Sequence, residues 1–107
     1  MRPTASRAMA EFEWDPEKEL RNIAKHKVDF RTASKIWQSL VLETPDNRID
    51  YGEIRFQALG EVDDRLMVVV FTWRGSIRRI ISARKANPRE NRRFEAAIGR
   101  QKKSWTD

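Results

Sequence analysis

The sequence predicts an α+β domain in the order β-α-α-β-β-β-α, its helices packed on one antiparallel sheet. Three observations carry this. Asp15-Pro16-Glu17 reads as a helix start near the beginning. Three apolar segments rich in β-formers follow one another between residues 54 and 83, separated by short turn signals. Asn87-Pro88-Arg89-Glu90 then opens a last helix.

Taken in order, residues 11–14 (Glu-Phe-Glu-Trp) alternate polar and apolar like a short strand. Asp15 caps the first helix, with Leu20, Ile23 and Ala24 as its expected buried stripe. Its end is placed near His26 and Lys27, where cations suit the negative end of the helix dipole. Asp29 caps a second helix through about Gln38, with Phe30, Ala33 and Trp37 on one face. Val41 and Leu42 can begin a strand, and residues 44–51 read as a loop.

Residues 54–62 alternate as a half-buried strand, with Ile54, Phe56, Ala58 and Val62 on one face and Arg55, Gln57 and Glu61 on the other. Leu66–Trp73 is nearly all apolar and reads as the central strand, and residues 77–83 as the third. Asp63-Asp64-Arg65 and Gly75-Ser76 supply the two hairpin turns. In the last helix Asn87, Pro88 and Glu90 occupy N-cap, N1 and N3, a capping box, and Phe94, Ala97 and Ile98 form its buried stripe.

A length of 107 residues fits one domain, placed at residues 11–98. Residues 1–10 are expected to be a disordered extension and 99–107 a basic tail or helix extension. There is no cysteine and only one histidine, so neither a disulfide framework nor a recognisable zinc motif is present. No cofactor is expected, since the four glycines do not cluster into a phosphate-binding loop. No apolar run approaches the ~18 residues of a membrane span, and no secretory h-region opens the chain. The expected compartment is the cytoplasm.

Charge is the informative quantity. The net charge is +6, and it is unevenly placed. Residues 1–73 carry 11 Lys and Arg against 13 Asp and Glu, whereas residues 74–107 carry 11 against 3. A chain basic at one end reads as a polyanion binder, the plainer alternative being a solubilising surface.

Arginine dominates the candidate chemistry, with Arg55, Arg74, Arg78, Arg79 and Arg84 on or beside the strands. A guanidinium binds phosphate through paired hydrogen bonds and keeps its charge. Tyr51 and Trp73 offer faces for base stacking, though Trp73 equally suits a core position at a strand end and Arg78 a solvated strand position. His26 is the one side chain with an ordinary pKa near neutrality, a candidate acid or base unless it merely caps its helix. Arg79 and Arg84 are five positions apart, so on a regular strand they point to opposite faces. A shared site requires a bulge between them.

These residues resemble a known family. Phe12-Glu13-Trp14-Asp15, Asn22-x-x-Lys25-His26, Phe30-x-x-Ala33, Glu53-x-Arg55, Leu66–Val70, Arg74-Gly75, the run Arg79–Ala86 and Glu90-x-x-Arg93 resemble the BrnT toxins. The resemblance spans roughly residues 11–98. It implies a fold similar to the RelE superfamily, RNA cleavage with growth arrest, and neutralisation by a BrnA-like antitoxin. That partner is a small DNA-binding protein, through which alone the complex would meet operator DNA and repress its own operon. Many such proteins carry Gly after the Lys-His pair, where this chain has Lys27.

The expected activity is metal-independent RNA cleavage by 2′-OH attack. Arg79 and Arg84 would bind the scissile phosphate with Arg55 in support. Lys25 or His26 would be the acid–base group, with Glu53 an alternative base. Tyr51, Trp73, Arg74 and Arg78 are the expected RNA contacts, and Arg89, Arg92 and Arg93 the antitoxin contacts. The alternative is a non-catalytic nucleic-acid-binding or co-repressor module, for which the same basic surface would suffice.

Overall fold

The computed structural model describes residues 11–47 and 52–106, with side chains to residue 98. Tyr51 and residues 1–10 lie outside the described residues.

Five strands form one sheet in the order β1-β5-β4-β3-β2, where β1 is Phe12–Trp14, β2 Val41–Pro45, β3 Phe56–Val62, β4 Arg65–Arg74 and β5 Ile77–Lys85. Helix α1 spans Pro16–His26, α2 Phe30–Ser34 and α3 Pro88–Thr106, and a 3₁₀ turn at Lys35–Gln38 continues α2. The α+β class and the β3-β4-β5 meander agree with the sequence reading. Two points of the expected order need correction. Residues 41–45 form a complete strand, antiparallel to β3 from Val41↔Gly60 to Pro45↔Phe56. The sheet is also mixed, because β1 pairs in parallel with β5, Phe12↔Arg78 to Trp14↔Ile80. A third correction is Ile54, which precedes β3 and is 72% exposed instead of sharing its buried face.

The local signals act as their chemistry requires. Val62 and Arg65 flank a two-residue hairpin at Asp63-Asp64, both with positive φ (50° and 67°), the backbone of a type I′ turn. Gly75 (φ 62°) opens the next hairpin, between Arg74 and Ile77. Asp29 accepts from the Thr32 amide and hydroxyl at 3.0 and 2.7 Å, capping α2. Those hydrogen bonds hold its carboxyl below the ordinary aspartate value.

Strand β4 is the middle strand and is covered on both faces. Met67, Val69 and Phe71 pack with Ala58, Ile80 and Ala83 under Val28, Phe30, Ala33 and Ile36. On the other face Val68 and Leu59 pack under Phe94 of α3, with Leu42, Leu66 and Ile98 around them. Gly60 is fixed by close approach: a Cβ there would lie 3.0 Å from both Ile36 Cγ1 and the Leu40 carbonyl oxygen.

Helix α1 departs most from expectation. Its apolar stripe faces outward, with Leu20 67% and Ile23 37% exposed, and Ala24 is exposed as well. Its buried residue is Asn22, 6% exposed. The reason is that β1 is short, pairing with β5 only at residues 78–80, so the backbone of β5 beyond it needs other partners. The Asn22 side chain supplies them: its amide nitrogen donates to the Ala83 carbonyl (2.9 Å) and its oxygen accepts from the Ala83 amide (3.0 Å). The same nitrogen donates to the Val28 carbonyl (2.9 Å). A primary amide has the donor and acceptor of a peptide group, so it extends the ladder by one rung.

Helix α1 ends at Lys27, which sits in the left-handed region (φ 63°, ψ 31°) with its amide bonded to the Ile23 carbonyl. A side chain there carries a steric cost that Gly avoids, partly offset by the larger chain entropy of Gly. Lys27→Gly is therefore expected to stabilise the fold by about 0.5–1 kcal/mol, raising Tm by roughly 2–6 °C in a circular-dichroism melt.

Candidate functional site

The bulge that a shared arginine site requires is present. Val70 pairs with Ser82 but Phe71 pairs with Ile80, so Ile81 is the extra residue in β5. On the β4 side Arg79 pairs with Thr72 and Arg84 with Val68. Those partners are four apart on a regular strand and point to the same face. Arg79, Ser82 and Arg84 thus share the face that α3 partly covers.

Each of the two arginines is held by a carboxylate. Arg79 Nη1 donates to Glu13 Oε2 at 2.8 Å, across the β1–β5 register pair. Arg84 makes a bidentate bond to Glu90, Nη1 to Oε1 at 2.9 Å and Nη2 to Oε2 at 2.8 Å, and Nη1 also donates to the Lys85 carbonyl. Glu90 closes the expected capping box at the same time. Its amide donates to Asn87 Oδ1 (2.8 Å), and its Oε1 accepts from the Asn87 amide (2.9 Å). The Arg84 hydrogen bond, above all, keeps the Glu90 carboxyl below its ordinary value. One carboxylate thereby seats α3 and fixes Arg84.

Beside the bulge, α1 and β5 enclose an open cleft of about 340 Å³ lined by Lys18, Arg21, Asn22, Lys25, His26, Ile81 and Ser82. Its lining contains no carboxylate. Burial, and then the charges of Lys25 and Arg84, hold the His26 imidazole below its ordinary pKa. The ring is therefore neutral at pH 7 and free to accept a proton.

The remaining candidates stand elsewhere. Arg55 donates from Nε to Glu53 (3.1 Å), and Arg74 lies 3.9 Å from the same carboxylate. Glu53, Ile54, Phe56, Thr72, Trp73 and Arg74 line a second cleft of about 460 Å³, with no residue in common with the first. Arg78 does not have the solvated position considered for it. Its guanidinium lies between the rings of Trp37 and Trp73, 4.6 and 4.5 Å from their centroids, and 3.4 Å from Glu43. Glu43 in turn accepts from the Trp37 indole nitrogen at 2.6 Å. Trp73 remains 41% exposed. Arg89, Arg92 and Arg93 are exposed on α3. No group of three or more His, Cys, Asp or Glu that could hold a metal ion occurs among the described residues.

A family model described as ribonuclease toxin, BrnT, of type II toxin–antitoxin system matches residues 14–90. The chain belongs to the BrnT family. The matched segment runs from the end of β1 to Glu90, so it contains the cleft, the bulge and the Arg84–Glu90 pair. No curated protein matches the chain. Membership makes it a ribonuclease toxin of a type II toxin–antitoxin system, which implies an antitoxin partner. No helix among the described residues is long and apolar enough to cross a membrane.

Two residues of this BrnT cleft, Lys18 and Arg21, escape sequence reasoning, and Asn22, Ile81 and Ser82 enter it only through the family resemblance. The signal lay in the helical period, which puts Lys18, Asn22, Lys25 and His26 on one side of α1. It was overridden by the usual assignment of the apolar stripe to the core.

Proposed function

We propose that this toxin is a metal-independent endoribonuclease that cleaves RNA by attack of the 2′-OH at the Lys25–His26 cleft. The observation that carries the reading is the Ile81 bulge, which sets Arg79 and Arg84 on one face while Arg84 acts electrostatically on a neutral His26. His26 accepts the 2′-OH proton as O2′ attacks phosphorus. Lys25 donates a proton to O5′ as the P–O5′ bond breaks, giving a 2′,3′-cyclic phosphate and a 5′-OH. Arg84 and Arg79 stabilise the charge that develops on the phosphate. Arg74 and Trp73 at the second cleft, and Arg55 bonded to its Glu53, serve as RNA contacts away from the cleavage point, and Arg78 supports Trp73 by stacking on its ring.

The reading extends to the RelE-like fold class and to a BrnA-like DNA-binding antitoxin, with which the toxin represses its own operon. Arg89, Arg92 and Arg93 on α3 are the proposed antitoxin contacts. A partner covering this basic face would exclude RNA by the same contacts that recognise it.

Purified protein incubated with a short RNA in EDTA is expected to release cyclic-phosphate ends and to leave the all-deoxy oligonucleotide intact. His26→Ala should lower the rate by about 10²–10⁴. Loss of cleavage in EDTA, or cutting of the deoxy strand, overturns the mechanism. Salt-sensitive binding without turnover would favour the co-repressor role instead.

A further inference from the structure

We infer that the cleft-facing side of α1 is a binding track for the RNA backbone, with Lys18 and Arg21 holding phosphates next to the one cleaved at Lys25–His26. The inference rests on the ribonuclease reading above and adds residues that it does not use.

Five arginines of the sheet and its loops are paired: Arg55 and Arg74 with Glu53, Arg78 with Glu43, Arg79 with Glu13, Arg84 with Glu90. Lys18, Arg21 and Lys25 lie within ion-pair distance of no carboxylate among the described residues, yet all three line one cleft. Like charges three and four apart on a helix repel, so this arrangement works against the stability of α1. Nor does burial account for it, since Arg21 and Lys25 are exposed. The chain-wide charge points to the C-terminal third, but much of the sheet's share is already matched by carboxylates. The unmatched positive charge of the cleft belongs to α1.

Geometry supplies the ligand class. Neighbouring side chains one helical turn apart are about 5–6 Å from each other at Cβ. Lys18, Arg21 and Lys25 follow one another at that spacing, a rise that suits successive phosphates of a single strand. The row ends at His26, and Ser82, which also lines the cleft, lies between Arg79 and Arg84 in sequence. Asn22 fixes the helix against β5, so the track cannot turn away from the bulge. The row is open along its length, which lets a polymer lie across it.

The test is the salt dependence of binding to an oligonucleotide that carries a single 2′-deoxy nucleotide at the cleavage position, read by fluorescence anisotropy. Single strands lose affinity with a slope of about 0.7 per phosphate contact. The Lys18→Ala/Arg21→Ala double variant is expected to flatten the slope by about 1.4 and to weaken binding about tenfold or more at 0.1 M salt. On cleavable RNA it should raise KM with kcat unchanged. A charge-matched control, Lys35→Ala/Arg65→Ala, removes two cations outside the cleft and should leave the slope as in the wild type. An unchanged slope in the α1 variant, or an equal loss in the control, overturns the track. Absence of RNA binding by the wild type overturns it too. If the wild type binds and the α1 variant loses slope but neither cleaves RNA, the track stands and the ribonuclease reading falls.

Discussion

Arg84→Ala is expected to lower RNA cleavage by about 10²–10³, the usual consequence of removing one preorganised group that stabilises developing charge. Arg84 also bridges β5 to the α3 cap, so the loss must be separated from a loosened helix. Glu90→Gln makes that separation. Glutamine retains the capping-box geometry, since it can still accept from the Asn87 amide, but it removes the anion that fixes Arg84. Cleavage by Glu90→Gln should fall far less than by Arg84→Ala, although both variants lose the bidentate bridge between β5 and α3 and should melt below the wild type.

The two variants should also move His26 in opposite directions in an NMR titration of the imidazole. The groups that lower its pKa are Lys25 on α1 and Arg84 on β5, after burial. Removing Arg84 removes a nearby cation and raises the His26 pKa. Removing the Glu90 charge leaves Arg84 uncompensated and lowers it further. An unmoved His26 in Arg84→Ala would separate the two residues and with them the proposed site. In the proposed mechanism the neutral imidazole is the base, and it is lost as pH falls through this depressed pKa, so the acid limb of the pH–rate profile should lie below the ordinary histidine value.

The second large effect is on stability. Asn22→Ala is expected to destabilise the fold by about 3 kcal/mol, because three buried hydrogen bonds are lost together and the Ala83 and Val28 groups are left without partners. For a domain of this size that is roughly 10–20 °C in Tm. Asn22→Asp retains the acceptor for the Ala83 amide but loses both donors, so it should be no milder. Replacement of the exposed Leu20 on the same helix is the comparison: Leu20→Ala should change Tm little, within about 0.5 kcal/mol. A severe loss in Leu20→Ala with a mild one in Asn22→Ala would reverse the orientation of α1.

Much of the architecture was legible in the residues because its signals are local. Asp15-Pro16 opens α1, Asn87-Pro88-x-Glu90 opens α3, and Asp63-Asp64 and Gly75-Ser76 turn the hairpins. Each depends on atoms within a few positions in the chain, and such chemistry is visible in a string of residues. The arginines, the Lys25-His26 pair and the family resemblance were likewise available from residue type and spacing, and the resemblance is met by the match over residues 14–90.

What the residues alone could not decide is every question of partnership across the chain. Whether Arg79 and Arg84 share a face depends on one unpaired residue, Ile81, and a bulge is set by the register of two strands. That β1 lies parallel beside β5 follows from long-range pairing, and its shortness is why α1 turns an asparagine inward and leucine outward. The charge count foretold a basic surface but not which cations meet carboxylates from distant strands. By itself the sequence determined the helices, the β3-β4-β5 meander, its turns and the family resemblance. Only the tertiary structure decided which edge needed hydrogen bonds and which positive charges remained unmatched, because backbone satisfaction and ion pairing are settled between segments far apart in the chain.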